Sequence, residues 1–386
     1  MPRLPTSQLA LALLLARAAA APNDAAVGER PLMAPPEEWI TQLMHLNKKE
    51  PRAAAVKAYL AQLAMMLTGA TFHCGSTPGF TGDFAPLTSC LDIFRRGQGP
   101  HRTWGVSMAG LGRMASIVDM VEDVAKRGLN GSYAETGVWR GGMTILATAA
   151  FQLYGMPTRP VYLCDSFEGL PAPRRGSTWS KYEYFYQRDK LLSIGERSVL
   201  ANFERYGVPH EQVVPVKGFF VKSMPPLREK LLARGERLSI LRLDGDMYDS
   251  TVDVLYNLYD LLLPGGYVII DDFMWSGRVP FGARIAVMEF RKLHGIEDDA
   301  HAVRNIDGTG AWFYKAREVT LRRDLYLESM RAKNQSMLGP PNTATRGKAF
   351  AELTRQWRQS WSEKERKAAD AVDRLSDPSR AQQAAV

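Results

Sequence analysis

The amino-acid sequence predicts an α/β protein built on a doubly wound, mostly parallel sheet of seven strands. From Gly131 onward, short β-branched runs alternate with helical patterns, which is the order of βαβ units. The last two runs are joined by DGTG, 307–310, a link short enough for a hairpin. One antiparallel edge strand is therefore expected. Extra helices precede this region, and a charged helix follows it.

Seven runs are predicted strands, and four helical patterns lie between them. The strands are SYAE, PVYLCDSF, VVPVKGF, LSILRLD, YVIIDDF, AHAVRNID and AWFYKA. The helices are MTILATAAFQLYG, PPLREKLLARG, STVDVLYNLYDLLL and GARIAVMEFRKLHG. Ser250 and Asp253 have the spacing of a capping box, so Asp249, Ser250 and Asp253 are predicted to start the third helix.

Composition divides the chain into four regions. Residues 1–38 look like a leader and linker, 39–128 combine helical patterns with an irregular Gly/Pro-rich segment, 129–318 hold the sheet, and 319–386 form a charged tail. Within the third region, 171–207 is longer than the usual connection and is predicted to be a lid. Its Trp179, Tyr182 and Tyr186 either close over a substrate or pack as an insertion helix.

The N-terminus and the cysteines bear on compartment. Arg3, the apolar stretch 9–15 and small residues up to Ala21 are typical of a secretory signal or a transit segment; otherwise the protein is expected to be cytoplasmic. No later stretch has the roughly 18 apolar residues of a transmembrane span. Cys74, Cys90 and Cys164 lack C-x-x-C spacing, which argues against a zinc ribbon. Pairing of Cys74 with Cys90 stays open.

The distribution of charge argues against a nucleic-acid partner. Net charge is +8, but residues from Lys315 onward carry 15 Lys/Arg against 9 Asp/Glu. The central region is therefore nearly neutral, and a basic face for nucleic acid is not expected. A small-molecule substrate is the predicted partner, and the oligomeric state, a homo-oligomer included, stays open.

Acidic residues follow four of the predicted strands. Glu135 ends the first, Asp165 the second, Asp244 the fourth, and Asp271 and Asp272 the fifth. Open α/β sheets bind ligands outside the carboxyl ends of their strands, so these acids are expected to share one rim.

The stretch ETGVWRGG holds Glu135, Thr136, Gly137 and Gly141, which is not the G-x-G-x-x-G spacing of a pyrophosphate site. Glu135 would also repel a pyrophosphate. Asp165 lies 28 residues after Gly137, at the end of the next strand, where a carboxylate accepts hydrogen bonds from ribose. The pattern favours S-adenosylmethionine over NAD. In the alternative interpretation, both acids only cap helices.

Asp244, Asp271 and Asp272 have no nearby His or Cys in the sequence. Three carboxylates suit a hard divalent cation, Mg²⁺ first and Mn²⁺ or Ca²⁺ next. The alternative is that they are capped loop acids.

Several motifs together resemble the macrocin O-methyltransferase family (TylF/MycF type). They are WGVSMAGLGRM, YAETGVWRGG, CDSFEGLP, KGFFVKSMP, LRLDGDMYDST, GGYVIIDDF and FRKLHGI, over roughly residues 100–315. That family consists of class I, S-adenosylmethionine- and Mg²⁺-dependent enzymes that methylate sugar hydroxyls of natural products. The resemblance implies cofactor contacts at Glu135, Thr136, Gly137, Gly141, Asp165, Ser166, Gly218, Phe219 and Asp244. It implies metal ligands at Asp244, Asp271 and Asp272.

The metal-binding catechol methyltransferases, a more distant resemblance, carry a catalytic lysine where Met247 stands here. Asp244 is therefore the predicted proton acceptor, with Asp246 as the second candidate. His294 is interpreted as a charge at a helix end, with catalysis as the less favoured alternative. The predicted function is O-methylation of a sugar or other vicinal diol. The alternatives are a nicotinamide-dependent oxidoreductase, disfavoured by the glycine spacing, and a non-catalytic binding protein, disfavoured by the intact acids.

Overall fold

The computed structural model describes residues 51–69, 105–172, 190–274 and 282–332. Its centre is a seven-stranded sheet. The strands are β1 Ser132–Thr136, β2 Val161–Asp165, β3 Val213–Lys217, β4 Leu238–Leu243, β5 Leu262–Ile270, β6 Arg304–Asn305 and β7 Ala311–Tyr314. Their order across the sheet is β3-β2-β1-β4-β5-β7-β6. The chain reverses direction across the sheet after β3, so β1 and β4 are neighbours at the centre.

Strands β1 to β5 are all parallel, and β7 runs antiparallel beside β5, with Ile269 opposite Trp312. The two-residue β6 pairs with β7 and forms the edge. This confirms the predicted doubly wound sheet with an antiparallel hairpin. The carboxyl ends of β1, β2, β4 and β5 consequently point the same way.

Eight helices cover the sheet in the described residues. They are α1 Pro51–Thr68, α2 Leu111–Lys126, α3 Gly142–Leu153, α4 Glu196–Arg205, α5 Phe220–Ala233, α6 Tyr248–Leu258, α7 Gly282–Leu293 and α8 Arg323–Ala332. Core residues of α1 to α4 pack on one face, and those of α5 to α8 pack on the other. Successive strand residues face opposite layers: Tyr133 lies in the first and Ala134 in the second.

Helix α4 lies inside the range that was predicted to be a lid. Its Val199 and Phe203 are fully buried in the first layer. Glu196–Arg205 is thus a packed crossover helix between β2 and β3. The predicted lid aromatics fall in 173–189, outside the described residues.

The predicted capping box at the start of α6 is wrong. The N-cap is Met247, and no side chain caps the helix. Asp253 instead accepts a hydrogen bond from the Tyr326 hydroxyl on α8 at 2.8 Å. Asp253 therefore joins two helices rather than starting one.

The leader, the charged tail after residue 332, Cys74 and Cys90 also lie outside the described residues. Among the helices of the described residues, none combines the length and apolar character needed to cross a membrane.

Candidate active site

A cavity of about 470 Å³ lies at the carboxyl ends of β1, β2, β4 and β5. The loops after these strands form most of its wall, and the segment 106–109 ahead of α2, including Met108, closes one side. This is where open α/β sheets bind ligands. The volume falls within the roughly 300–1,000 Å³ of small-molecule sites.

The loop after β1 approaches the loop after β4 as backbone against backbone. Gly137 has φ +93°, and a Cβ there would lie 1.9 Å from the carbonyl oxygen of Asp244. Gly141 has φ +88° directly before α3. Trp139 also has a positive φ of 48°, and its indole N–H donates to the Leu191 carbonyl at 2.9 Å. Only glycine meets the steric demand at Gly137, so the loops after β1 and β4 can approach each other this closely.

Asp165 ties the loops after β1 and β2 together. Its carboxylate accepts hydrogen bonds from the backbone N–H of Val138 at 2.8 Å and of Phe167 at 2.7 Å. Burial raises the pKa of Asp165, and these two bonds oppose that shift. Beside it, the Ser166 hydroxyl donates to the Gly169 carbonyl at 2.6 Å. Asp165 and Ser166 both line the cavity, as their predicted role requires.

Glu135 lines the cavity but already accepts three hydrogen bonds. The donors are Arg242 at 2.9 Å, the Tyr133 hydroxyl at 2.9 Å and the Thr144 hydroxyl at 2.5 Å. Burial raises the pKa of Glu135. Thr136 is outside the cavity wall, and its hydroxyl donates to the Arg242 carbonyl at 3.1 Å. Direct cofactor contacts by these two residues stay predictions.

The structure separates the two predicted cofactor contacts that follow β3, Gly218 and Phe219. Phe219 lies in the cavity wall, immediately before α5. Gly218 lies behind it with φ +132°, and its N–H donates to the Asp165 carbonyl at 2.8 Å. Gly218 thus holds the β2 and β3 loops together, while Phe219 offers a ring to the cavity.

Three carboxyl groups converge at one side of the cavity. Asp244, Asp246 and Asp272 each offer an oxygen, and these oxygens lie within 4.8 Å of one another. Burial raises the pKa of Asp244 and of Asp272 well above the usual range, and neighbouring carboxylates add to it. Partly buried oxygens this close fit a hard divalent cation. We call Asp244, Asp246 and Asp272 the acidic rim.

Asp271 was predicted in this group, and the structure places Asp246 there instead. Both Asp271 oxygens accept hydrogen bonds from guanidinium groups, Oδ1 from Arg242 and Oδ2 from Arg113. Burial raises the pKa of Asp271, but the two arginines outweigh it and the net shift is downward. Asp271 therefore lies beside the acidic rim as the counter-ion of two arginines.

Sequence reasoning missed Arg113 and Arg242. Arg242 interrupts the apolar run of β4 and joins Glu135, Asp244 and Asp271 through one guanidinium. A charge inside a buried strand requires partners, and that signal was available in LSILRL. Arg113 left no comparable signal, because α2 is amphipathic and exposed positions on such a helix are often arginine.

The wall of the cavity carries an excess of acid. Two guanidiniums, those of Arg113 and Arg242, stand against six carboxyl groups: Glu135, Asp165, Asp244, Asp246, Asp271 and Asp272. Such a wall disfavours an anionic pyrophosphate and favours cationic ligands.

His294 lies outside the cavity wall. Its Nδ1 is 2.7 Å from the Phe290 carbonyl, and its Nε2 accepts the N–H of Arg322 at 3.0 Å. Burial lowers the pKa of His294. Acceptance at Nε2 and the lowered pKa favour a neutral ring, which argues against the interpretation as a helix-end charge.

The doubly wound seven-stranded sheet, with an acidic cavity over its centre, is the architecture of class I S-adenosylmethionine-dependent methyltransferases. Within that class, the chain belongs to the macrocin O-methyltransferase family. The family model, described as Macrocin-O-methyltransferase (TylF), matches residues 91–315, more than half of the chain. This match supports the methyltransferase interpretation over the oxidoreductase and the non-catalytic binding protein.

Individual proteins similar to this chain are also O-methyltransferases. The 8-demethyl-8-(2,3-dimethoxy-alpha-L-rhamnosyl)-tetracenomycin-C 4'-O-methyltransferase of Streptomyces olivaceus is 38% identical over 208 residues, 54% of this chain and 74% of that protein. The demethyldecarbamoylnovobiocin O-methyltransferase of Streptomyces niveus is 32% identical over 263 residues, 67% of this chain and 94% of that protein. The solved structure of the O-methyltransferase NovP matches with TM-score 0.57 and 30% identity, covering 68% of this chain and 100% of that one.

Proposed function

We propose that this enzyme methylates a hydroxyl group on a sugar-bearing small molecule, with a divalent cation bound at the acidic rim. The observation that carries the proposal is the convergence of three carboxyl oxygens within 4.8 Å in the same cavity as Asp165. Mg²⁺ is the first choice and Mn²⁺ the second, since the donors are all oxygens.

The class of acceptor is inferred from relatives. One acts on a rhamnosyl-tetracenomycin, and a mycinamicin III 3''-O-methyltransferase of Micromonospora griseorubida is 35% identical over 215 residues. A sugar carries neighbouring hydroxyls, which a cation bound to carboxylates chelates well.

The cofactor end of the cavity is assigned to the loops after β1 and β2. S-adenosylmethionine supplies a methyl group on a positively charged sulfur. Asp165 lines the cavity, where its carboxylate can accept from ribose hydroxyls in addition to the N–H groups of Val138 and Phe167. The glycines of 137–142 let a cofactor approach the backbone closely, and Phe219 offers it an apolar ring.

The metal end is assigned to Asp244 and Asp272. These two acids belong both to the trio predicted from the sequence and to the acidic rim. Asp246 is the third rim acid, and Asp271 is the third acid of the predicted trio. A bound cation would lower the pKa of a hydroxyl that it coordinates.

Asp244 is the proposed proton acceptor, and Asp246 is the second candidate. The substrate hydroxyl oxygen would bond to the methyl carbon as the bond between that carbon and sulfur breaks; the hydroxyl proton would go to the carboxylate, and S-adenosylhomocysteine would be released.

The test is S-adenosylhomocysteine release over a panel of glycosides and catechols, with and without Mg²⁺. Turnover of a glycoside that stops with EDTA and returns with Mg²⁺ is expected. Turnover that ignores the chelator would remove the cation from the proposal. No turnover of any glycoside, with turnover of a catechol, would remove the acceptor class.

Variants identify the ligands. Asp272→Asn should weaken Mn²⁺ binding, measured by EPR of the free ion, by at least tenfold. Asp246→Asn and Asp271→Asn, measured alongside, show which of the two acids is the third ligand. Asp260→Asn is the matched control, because it removes an arginine-bound acid at the opposite end of β5. Equal affinity of Asp272→Asn and wild type would refute the site.

A further inference from the structure

The start of α2 and the β6–β7 hairpin meet in a close contact. Arg113 Nε donates to Asp307 Oδ2 at 2.9 Å, with the two side chains 4% and 5% exposed. A Cβ on Gly112 would lie 3.0 Å from the Asp307 Cβ, and one on Gly310 would lie 2.7 Å from the Arg113 Cδ. Two glycines thus leave room for the ion pair, which is built into the packing.

This ion pair begins a chain of alternating charges that ends at the acidic rim. Arg113 also donates to Asp271 Oδ2, and the other Asp271 oxygen accepts from Arg242. Arg242 in turn donates to Asp244 Oδ2 at 2.7 Å. Asp307 lies outside the cavity wall, whereas the other members line it.

The hairpin is itself shaped by Asp307. Its Oδ1 accepts the N–H of Thr309 at 3.1 Å and of Gly310 at 2.9 Å. The Thr309 carbonyl then accepts the N–H of Met274 at 2.7 Å, in the loop that follows Asp271. The hairpin is therefore attached to the loop after β5 by backbone as well as by charge.

We propose that Asp307 is a positioning residue for the acidic rim. A guanidinium bound to two carboxylates is fixed in orientation by its planar fork. Asp307 binds Arg113. Asp271 is bound by both Arg113 and Arg242, and Arg242 also binds Asp244. Without Asp307, Arg113 has one anionic partner fewer, and its charge is free to shift within the cavity wall. This inference rests on the proposed cation site.

The test is Asp307→Asn in the full-length chain. The amide keeps one oxygen for the two turn N–H groups, but its NH₂ group cannot accept from Arg113. Groups hydrogen-bonded directly to metal ligands typically change metal affinity by about 10–100-fold, and Asp307 acts through Arg113, so the lower end of that range applies. We expect Mn²⁺ affinity, measured by EPR of the free ion, to fall about tenfold. S-adenosylhomocysteine affinity, measured by calorimetry, should stay within about twofold of wild type, since Asp165 is not part of this series of alternating charges.

Two further variants separate positioning from general loss of stability. Arg113→Lys keeps the charge but not the fork, and it should weaken Mn²⁺ binding as Asp307→Asn does. Asp260→Asn breaks an arginine pair at the other end of β5 and should leave both affinities unchanged. If Asp307→Asn binds Mn²⁺ as tightly as wild type, the role of Asp307 is overturned and the cation site is not. Parallel loss of both ligands would overturn it in favour of misfolding, and absence of Mn²⁺ binding by wild type would overturn the cation site as well.

Discussion

The guanidinium of Arg242 donates to Glu135 Oε1 at 2.9 Å, and each side chain is only 1% exposed. The pair joins β4 to β1 at the centre of the sheet, directly beneath the cavity. Burial of such a pair costs desolvation, so its members depend on one another. The architecture of the site and the stability of the fold consequently share the same residues.

Arg242→Met should destabilise the protein by about 3–5 kcal/mol, because it leaves buried carboxylates without their counter-ion. The free energy of unfolding from urea titration measures this. Arg322→Met is the control, since Arg322 forms an exposed pair with Asp324 and should unfold like wild type. If both variants unfold at the same urea concentration, the buried network contributes no net stability.

Gly137→Ala should abolish S-adenosylmethionine binding, because the new Cβ would lie 1.9 Å from the Asp244 carbonyl oxygen. Gly155→Ala is the matched control: its φ is +84°, but nothing lies within 4 Å. Both variants place a side chain at a positive φ, which costs about 1–2 kcal/mol. The difference between them therefore isolates the contact between the two loops. Calorimetry with the cofactor and urea unfolding measure the two effects; equal affinity in both variants would contradict the prediction.

Glu122 should contribute stability that depends on pH. Burial raises its pKa, but hydrogen bonds from Lys126 and Lys57 outweigh this and leave the pKa below its usual value. A depressed pKa stabilises the fold above the unfolded pKa of about 4.3, and the benefit disappears as pH falls through the folded value. Glu122→Gln should thus cost about 0.5–1 kcal/mol at pH 7 and much less near pH 3.5. Urea titrations at both pH values test this, and a constant difference would refute it.

Cys164 should be inert in the folded protein. Burial raises the pKa of its thiol, and the side chain is fully enclosed in β2. The thiolate is the reactive form. In a Cys74→Ser, Cys90→Ser variant at pH 8, DTNB should find no thiol in the native state and one per chain in guanidinium chloride. Rapid reaction of the native variant would show that β2 is accessible.

The order of strands and helices was predictable from the sequence, because periodicity and turn residues are local properties. The gathering of Asp165, Asp244 and Asp272 was predictable too, since parallel strands place their carboxyl ends at one edge. The boundaries of α4 and the start of α6 were not, because packing of Val199 and the Asp253–Tyr326 bond involve distant residues.

Which acid faces which partner was decided only by the tertiary structure. Asp271 and Asp272 are neighbours in the chain, yet Asp271 contacts two arginines and Asp272 belongs to the acidic rim. Adjacent residues at the end of a strand point to opposite sides, and the sequence does not identify the side chains that lie on each side. Arg113 is 158 residues from Asp271 and 194 from Asp307, so only folding brings these charges together.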